Sequence, residues 1–482
     1  MIFNSIEFLI FLPIVFLLYW FVFDKNRKAQ NILIVVASYV FYGWWDWRFL
    51  SLIVISTLVD YFIGLSLANQ DQQKKRKRLL SLSLAVNLGL LGFFKYFNFF
   101  VDSFTKAFTF AGVPIDSPTL KIVLPVGISF YTFQTLSYTI DVYKRRQVPT
   151  NDFISFAAFV CFFPQLVAGP IERAQNLIHQ FTAERRFKYV DMQFGFIRVL
   201  WGMFKKVVIA DRLAVQVDTV FNNPELFHGQ HYIVASVLFA FQIYCDFSGY
   251  SDIAIGTSRM LGFRLMENFR SPYFAVSLKD FWRRWHISLS TWFKDYVYIP
   301  LGGSRGTAFI VIRNLLITFL VSGLWHGASW TFVIWGGIHG LFLVIENYTG
   351  IGNKSNSTNW RTILGMTRTF IIVCVAWIFF RANTVGDAFY IVGHLFDVQP
   401  SLGVVSSSGT LYFGEPLWRF GAGVLSIGIL VLIEYFIGKG LLTERFIVRK
   451  PLLVRWAIYL TLIFSILVFG RFEVNQFIYF QF

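Results

Sequence analysis

Long apolar runs separated by short polar connections dominate this chain. Four of them open the sequence, at about residues 6–23, 29–43, 48–68 and 79–102. Each approaches the ~20 residues that a helix needs to cross a lipid bilayer, although the second run is short. The pattern therefore predicts an all-α polytopic membrane protein. Further apolar runs follow at about residues 122–140, 153–169, 192–210, 231–256, 314–346, 369–382, 418–437 and 452–470.

The charge of the connections predicts on which side of the membrane each one lies. Basic clusters occupy residues 24–28, 74–78 and 144–146, whereas the connection at 44–48 is short, aromatic and nearly neutral. Basic loops of membrane proteins lie mainly on the cytoplasmic side. Counting crossings from these clusters places all three in the cytoplasm and the N-terminus outside.

Two segments depart from simple crossing. The run 153–169 contains Pro164 and is followed by further basic residues, so we expect a re-entrant segment that enters and leaves on one face. The stretch 264–313 mixes charges with Trp282, Trp285 and Trp292, which favours short helices lying along the headgroups.

Residues 314–346 must begin and end on the cytoplasmic side if the flanking basic loops are both internal. Thirty-three residues are too few for two full spans of ~20 residues each. We therefore expect two short helices that meet at membrane depth. The break is predicted at Gly323 and Gly327, with His326 between them.

Composition excludes a soluble protein and a nucleic-acid-binding one. Apolar residues make up 56% of the chain and charged ones 15%, against about half and about a quarter in soluble domains. The net charge of +16 resides in short loops between apolar runs, and the three cysteines lack metal-type spacing, so no metal site is expected. We expect one membrane domain over residues 1–482, with N-terminal helices in 1–150, a motif-bearing core in 151–350 and C-terminal helices in 351–482.

Histidines in apolar surroundings are the candidates for chemistry. An ionisable residue at membrane depth is costly, so His326 is a candidate catalytic residue, and burial would keep its imidazole neutral, as a general base requires. A structural histidine bonded to Ser322 or Ser329 is the alternative. Helical spacing would place His286 on one face with Trp282 and Ser290, either as a second site residue or as an interfacial histidine.

Three weaker features have mainly structural interpretations. His339 lies 13 residues after His326 and is expected to be a packing residue, or one that supports the site residues, rather than a catalyst. The glycine-rich segment 302–306 lacks the lysine spacing of a phosphate-binding loop and indicates a surface turn. Asp246 and Asp252 are expected at a helix break, where they would orient a histidine or cap a helix.

Taken together, three motifs resemble the membrane-bound O-acyltransferase superfamily. They are Phe-Trp-Arg-Arg-Trp-His-Ile-Ser-Leu-Ser at 281–290, Tyr-Val-Tyr-Ile-Pro-Leu-Gly-Gly at 296–303 and Gly-Leu-Trp-His-Gly-Ala at 323–328. The match is closest to the alginate O-acetyltransferase branch. This resemblance implies a funnel of about 10–12 transmembrane helices with re-entrant and interfacial helices. It also implies that His326 serves acyl transfer and that His286 is the second site histidine.

The resemblance predicts an enzyme of the bacterial inner membrane that O-acetylates an exported polysaccharide. The donor would be a cytoplasmic acyl thioester used as co-substrate, either acetyl-coenzyme A or an acyl-carrier protein, with no bound cofactor. An esterase-like protein on the outer face is implied as a partner, beside membrane lipids. Non-covalent transport and D-alanyl transfer to teichoic acid are the alternatives. Five cations are candidates for binding the donor's phosphates, although anionic lipids would satisfy them equally well: Lys279, Arg283, Arg284, Lys294 and Arg305.

Overall fold

A computed structural model describes residues 1–113, 120–167, 169–351, 359–397, 416–472 and 477–480. The regular elements of these residues are all helices, in agreement with the predicted all-α fold. The chain forms two compact units, residues 1–195 with 257–266, and residues 196–256 with 267–482.

The first unit consists of helices, several of which begin at a capping residue. Asn26 and Asp152, for example, cap the helices that follow them by accepting hydrogen bonds from backbone N–H groups. The helices are α1 Ile6–Leu17, α2 Arg27–Asp46, α3 Leu50–Ala68, α4 Gln73–Leu91, α5 Phe97–Phe110, α6 Ile128–Tyr143, α7 Phe153–Cys161, α8 Phe163–Leu166 and α9 Ala174–Thr182.

A buried polar network joins three of these helices. Asp60 of α3 is fully buried and accepts hydrogen bonds from Asn87 of α4 and Thr139 of α6, both at 2.8 Å. Ser83 of α4 is a third donor to the same carboxyl group. Among apolar helices such contacts specify which faces meet, because an unsatisfied carboxyl group would be costly.

The segment predicted to be re-entrant is a broken helix. Helices α7 and α8 have nine and four residues and are interrupted at Phe162, two residues before Pro164. Most residues of the segment are buried. Non-helical backbone at membrane depth is tolerated where protein surrounds it, so the re-entrant arrangement stays a prediction that this geometry supports.

The second unit carries the longest helix and a series of short ones. Helix α12 has 32 residues, whereas α13 and α14 have seven each, in the stretch for which short helices were predicted. The helices are α10 Tyr189–Met203 (whose first residues belong to the first unit), α11 Asp211–Phe221, α12 Gly229–Met260 (whose last residues belong to the first unit), α13 Leu278–Arg284, α14 Ile287–Phe293, α15 Ala308–His326, α16 Trp330–Thr349, α17 Asn359–Arg381, α18 Val385–Gly393, α19 Leu417–Gly438, α20 Glu444–Val448 and α21 Leu452–Phe469.

Helices α15 and α16 form a tightly packed hairpin. They have 19 and 20 residues, so the prediction of two short helices was wrong. The reason is that α15 begins before residue 314 and α16 ends after residue 346. The break lies at residues 327–329, and Gly323 is inside α15, where it allows close approach: a Cβ there would lie 2.2 Å from the carbonyl oxygen of Phe332.

Seven helical stretches among the described residues are long and apolar enough to cross a membrane. The longest, Arg27–Ala68, contains both α2 and α3, and two shorter apolar helical stretches occur at Ile6–Val22 and Phe153–Leu166. In the most apolar 18-residue segments of α19 and α21, only 17% and 11% of the residues are buried. Lipid must cover such surface, so the chain is a multi-pass membrane protein.

Candidate functional site

His326 is the last residue of α15 and is 3% exposed. Its ring centroid lies 5.0 Å from that of Trp325, 4.9 Å from Trp335 and 5.5 Å from Phe380. The neighbouring Ser329, one of the suggested structural partners of His326, caps α16 by accepting a hydrogen bond from a backbone N–H. His326 is therefore held at a helix end in an aromatic surrounding with little access to water.

His286 lies between α13 and α14 and is fully buried. Its backbone is left-handed, with φ 42° and ψ 55°, which is uncommon for a residue with a side chain. The prediction that Trp282, His286 and Ser290 share one helical face was wrong, because α13 ends at Arg284 and α14 begins only at Ile287. The kink, rather than helical spacing, determines where the imidazole points.

The two histidines of the motifs lie together. The ring centroids of His286 and His326 are 6.5 Å apart, although 40 residues separate them in the sequence. Phe247 of α12 lies on the other side of His286, with its ring centroid 4.6 Å away. The site thus consists of two imidazoles within an aromatic wall.

Burial determines the protonation state of His286. Desolvation lowers the pKa of His286 to about 3, because the charged imidazolium loses its hydration inside the protein. The imidazole is therefore neutral at neutral pH. A neutral imidazole has a lone pair available to accept a proton, which is the property that a general base needs.

Tyr479, near the C-terminus, is a site residue that sequence reasoning missed. Its ring centroid lies 5.6 Å from that of His326 and 6.4 Å from that of His286. The backbone N–H of the preceding Ile478 donates to Asp246 Oδ2 at 2.8 Å and so fixes this segment to α12. No local pattern indicates this proximity, because it depends on the chain folding back on itself.

Asp246 and Asp252 form buried ion pairs within a continuous helix. Asp246 lies 2.7 Å from Lys206, which also contacts Asp211 at 2.7 Å, and Asp252 lies 2.5 Å from Lys205 and 2.7 Å from Arg198. The predicted helix break at these aspartates was wrong, since α12 runs through both positions. Pairing with cations offsets the cost of burying the carboxylates, so the helix need not break to expose them.

His339 packs among aromatic rings of α13 and α16. Its ring centroid lies 4.9 Å from that of Trp335 and 5.1 Å from that of Trp282. This surrounding agrees with the packing role predicted for it. The segment 302–306 is a turn with positive φ at Gly302, Gly303 and Gly306, as its glycines indicated.

The five candidate cations differ in their availability. Arg284 forms an ion pair with Asp280 of the same helix, with Nε 2.9 Å from Oδ1. The other four, Lys279, Arg283, Lys294 and Arg305, are exposed. Their side chains are accessible, so a phosphate or a lipid headgroup could bind them. Among the residues described by the structure, no group of three or more histidine, cysteine or acidic side chains could hold a metal ion.

Comparison with known proteins identifies the family. The membrane-bound O-acyltransferase family matches residues 34–385. A protein of Pseudomonas aeruginosa named probable alginate O-acetylase is 43% identical over 435 residues, which cover 90% of this chain and 80% of the relative.

Two further relatives carry different names. The peptidoglycan O-acetyltransferase of Helicobacter pylori is 38% identical over 418 residues, which cover 80% of this chain and 78% of the relative. The teichoic acid D-alanyltransferase of Bacillus subtilis is 28% identical over 286 residues, which cover 55% of this chain and 71% of the relative. The family match spans most of the sequence and contains both motif histidines, His286 and His326. This chain therefore belongs to the membrane-bound O-acyltransferase family and is an acyltransferase.

Proposed function

We propose that this acyltransferase O-acetylates an exported cell-surface polysaccharide from the bacterial inner membrane. Relatives at 43% and 38% identity are named for the O-acetylation of alginate and of peptidoglycan. The relative named for D-alanyl transfer is 28% identical and aligns with a smaller part of the chain. The identities therefore favour acetyl over D-alanyl as the transferred group.

The observation that carries the proposal is the pair of buried imidazoles at 6.5 Å in a member of an acyltransferase family. A hydroxyl oxygen of the acceptor attacks the thioester carbonyl carbon while His326 takes the hydroxyl proton. The carbon–sulfur bond then breaks, the ester is left on the acceptor, and the proton passes to the departing thiolate. His286 holds the acceptor or shares the proton transfer.

A thioester is already activated, so the protein must mainly position the reactants and exclude water. The aromatic rings around His326 and His286 support this role, because an aromatic ring offers competing water little hydrogen bonding. The donor is a cytoplasmic acyl thioester, either acetyl-coenzyme A or an acyl-carrier protein. The exposed cations Lys279, Arg283, Lys294 and Arg305 draw its phosphates to the membrane surface, and an esterase-like partner outside completes delivery to the polysaccharide.

Replacing His326 with alanine tests the proposed base. Base-labile acetate on the extracted surface polysaccharide should fall by about 10²-fold or more, the usual contribution of a positioned base. The matched control is His339→Phe, which keeps an aromatic ring among Trp335 and Trp282 and should retain most activity. Undiminished acetylation by His326→Ala protein that is present in the membrane at normal abundance would refute the assigned role.

A second experiment tests whether the donor side is cytoplasmic. Cysteines introduced at the exposed positions Lys77 and Arg283 should be shielded from a membrane-impermeant thiol reagent in intact cells, whereas one at Trp47 should be labelled. The native cysteines are buried, so their background labelling should be low. Labelling of the cysteines at 77 and 283 in intact cells would show that these positions lie outside and that the predicted topology is inverted.

A transporter without covalent chemistry predicts a different result with the purified protein. If the protein is an acyltransferase, the purified wild type should release free thiol from an acetyl thioester in the presence of a hydroxyl acceptor, and His326→Ala protein should not. Membership of an acyltransferase family favours the enzyme. Acetyl movement across vesicles without any thiol release would favour transport.

A further inference from the structure

Asn268 contacts His286 although no sequence motif connects the two residues. It lies in the connection between α12 and α13, and its side chain is buried, with 1% exposure. Its Oδ1 lies 3.1 Å from His286 Nδ1, and its Nδ2 donates to Ser251 Oγ at 3.1 Å. The backbone carbonyl of Asn268 also accepts a hydrogen bond from Ile287 N–H at 2.9 Å, on the other side of the kink. Asn268 thus contacts both the ring and the backbone at this position.

The orientation of the Asn268 amide follows from a backbone donor. Ser288 N–H points at the atom that contacts His286, at 3.3 Å, and the Ser288 hydroxyl donates to the same atom at 3.0 Å. A backbone N–H can only donate, so the atom that it faces must be the amide oxygen. The opposite orientation would place the amide NH₂ group against this N–H and leave both donors unpaired.

This orientation determines the tautomer of His286. An amide oxygen can only accept, so Nδ1 of His286, 3.1 Å away, carries the ring proton. The Ser288 hydroxyl also lies 3.4 Å from this Nδ1, but it donates its proton to the amide oxygen at the shorter distance of 3.0 Å. In a neutral imidazole the lone pair then resides on Nε2. We infer that Asn268 is a positioning residue that holds His286 as the Nδ1–H tautomer and thereby presents Nε2 as the proton-accepting atom. The consequence for catalysis rests on the proposed role of His286, whereas the tautomer itself does not.

An amide serves this purpose differently from a carboxylate. Both would hold the proton on Nδ1, but a carboxylate would also stabilise the imidazolium and remove the lone pair at neutral pH. The titratable rings of His326 and Tyr479 face His286, as do the rings of Phe247 and Trp325, which do not titrate. None of these supplies a negative charge at neutral pH.

Two variants of nearly equal size separate these effects. In Asn268→Asp the present donors to Oδ1 keep their acceptor, and the Ser251 hydroxyl, which now accepts from Nδ2, can rotate to donate to the second carboxylate oxygen. Asn268→Leu removes the acceptor and leaves the tautomer unconstrained. Ser251→Ala removes only the partner of Nδ2, so it is expected to lose less activity than Asn268→Leu.

Nitrogen-15 NMR of the full-length protein in bilayers, labelled at histidine, reads the tautomer directly. Signals of His286 are assigned by their absence in His286→Gln. At pH 7 the wild type should show a proton on Nδ1 and none on Nε2, and Asn268→Asp should show protons on both. In Asn268→Leu the Nδ1–H form should no longer predominate. A proton on Nε2 of wild-type His286, or the same tautomer in Asn268→Leu as in the wild type, would overturn the inference.

Acetylation in cells gives the functional readout. Asn268→Leu and Asn268→Asp should each reduce base-labile acetate by about 10²-fold at normal membrane abundance, the range of a mispositioned base. If His286→Ala is inactive and Asn268→Leu is fully active, the positioning role is wrong and the proposed function stands. If His286→Ala is itself fully active, the proposed use of His286 fails, whatever the tautomer.

Discussion

Replacing Gly323 with alanine tests how closely the packing of α15 against α16 controls the position of His326. A Cβ at this position would lie 2.2 Å from the carbonyl oxygen of Phe332 and 3.0 Å from its carbonyl carbon. Backbone atoms cannot rotate aside as a side chain can. Bringing the shorter contact to 3.0 Å, the lower limit for real Cβ contacts, requires the helices to separate by about 0.8 Å.

His326 lies three residues after Gly323, nearly one helical turn away, so it moves with this part of α15. A displacement of ~1 Å between reacting groups can cost about 10²-fold in rate. We therefore expect Gly323→Ala to reduce polysaccharide acetylation by about 10- to 100-fold. Overpacking of this kind destabilises by about 1–3 kcal/mol, so most of the protein should stay folded.

The assay measures base-labile acetate on extracted polysaccharide, divided by the abundance of the protein in the membrane. The matched control is Gly337→Ala in the facing helix, where the nearest atom to a new Cβ is Leu320 Cδ2 at an ordinary 3.6 Å. Both variants change helix propensity equally, so only the close contact differs. Wild-type acetylation by Gly323→Ala, or an equal loss in Gly337→Ala, would refute the reasoning.

Three further predictions concern charge. Arg283→Gln should raise the apparent KM for the donor by up to about five-fold, which corresponds to the ~1 kcal/mol of an interfacial cation, and should leave kcat unchanged. Arg284→Gln should raise KM less, because Arg284 already pairs with Asp280, and equal increases in KM would contradict this prediction. Lys206→Met should remove most protein from the membrane, since it leaves two buried carboxylates without their shared cation, at a cost of about 3–5 kcal/mol; normal abundance on immunoblots would argue against such a cost. His286→Gln should lessen the loss of stability in acid: the pKa of His286 is about 3 in the fold, below the ~6.5 of an exposed histidine, so wild-type stability is complete above pH ~6.5 and falls as the pH decreases. Thermal aggregation in detergent at pH 7 and pH 5 measures this difference, and an equal drop in wild type and variant would exclude His286 as its source.

Much of the fold could be predicted from the order of apolar and polar residues. Whether a segment can cross a bilayer depends on the composition of a window of ~20 residues, which is a local property. The apolar runs at 29–43 and 48–68, for example, correspond to α2 and α3. The same local reasoning located His326 near a helix break, because glycines flank it.

Local reasoning failed where a segment's neighbours determine its conformation. Asp246 and Asp252 suggested a break because an isolated carboxylate is costly in an apolar helix, yet Lys206 and Lys205 pair with them and α12 continues. The helical register predicted around His286 failed because the Asn268 carbonyl and side chain hold a kink at that residue.

By itself, the sequence determined that the chain is an α-helical membrane protein, and its motifs singled out two histidines. Only the tertiary structure decided that the ring centroids of His286 and His326 lie 6.5 Å apart, that the Tyr479 ring lies beside both, and that Asn268 orients His286. The physical reason is the range of the interactions. The free energy of transfer into lipid is a sum over residues that are neighbours in the sequence. A hydrogen bond or a ring contact, in contrast, joins residues that only packing brings together.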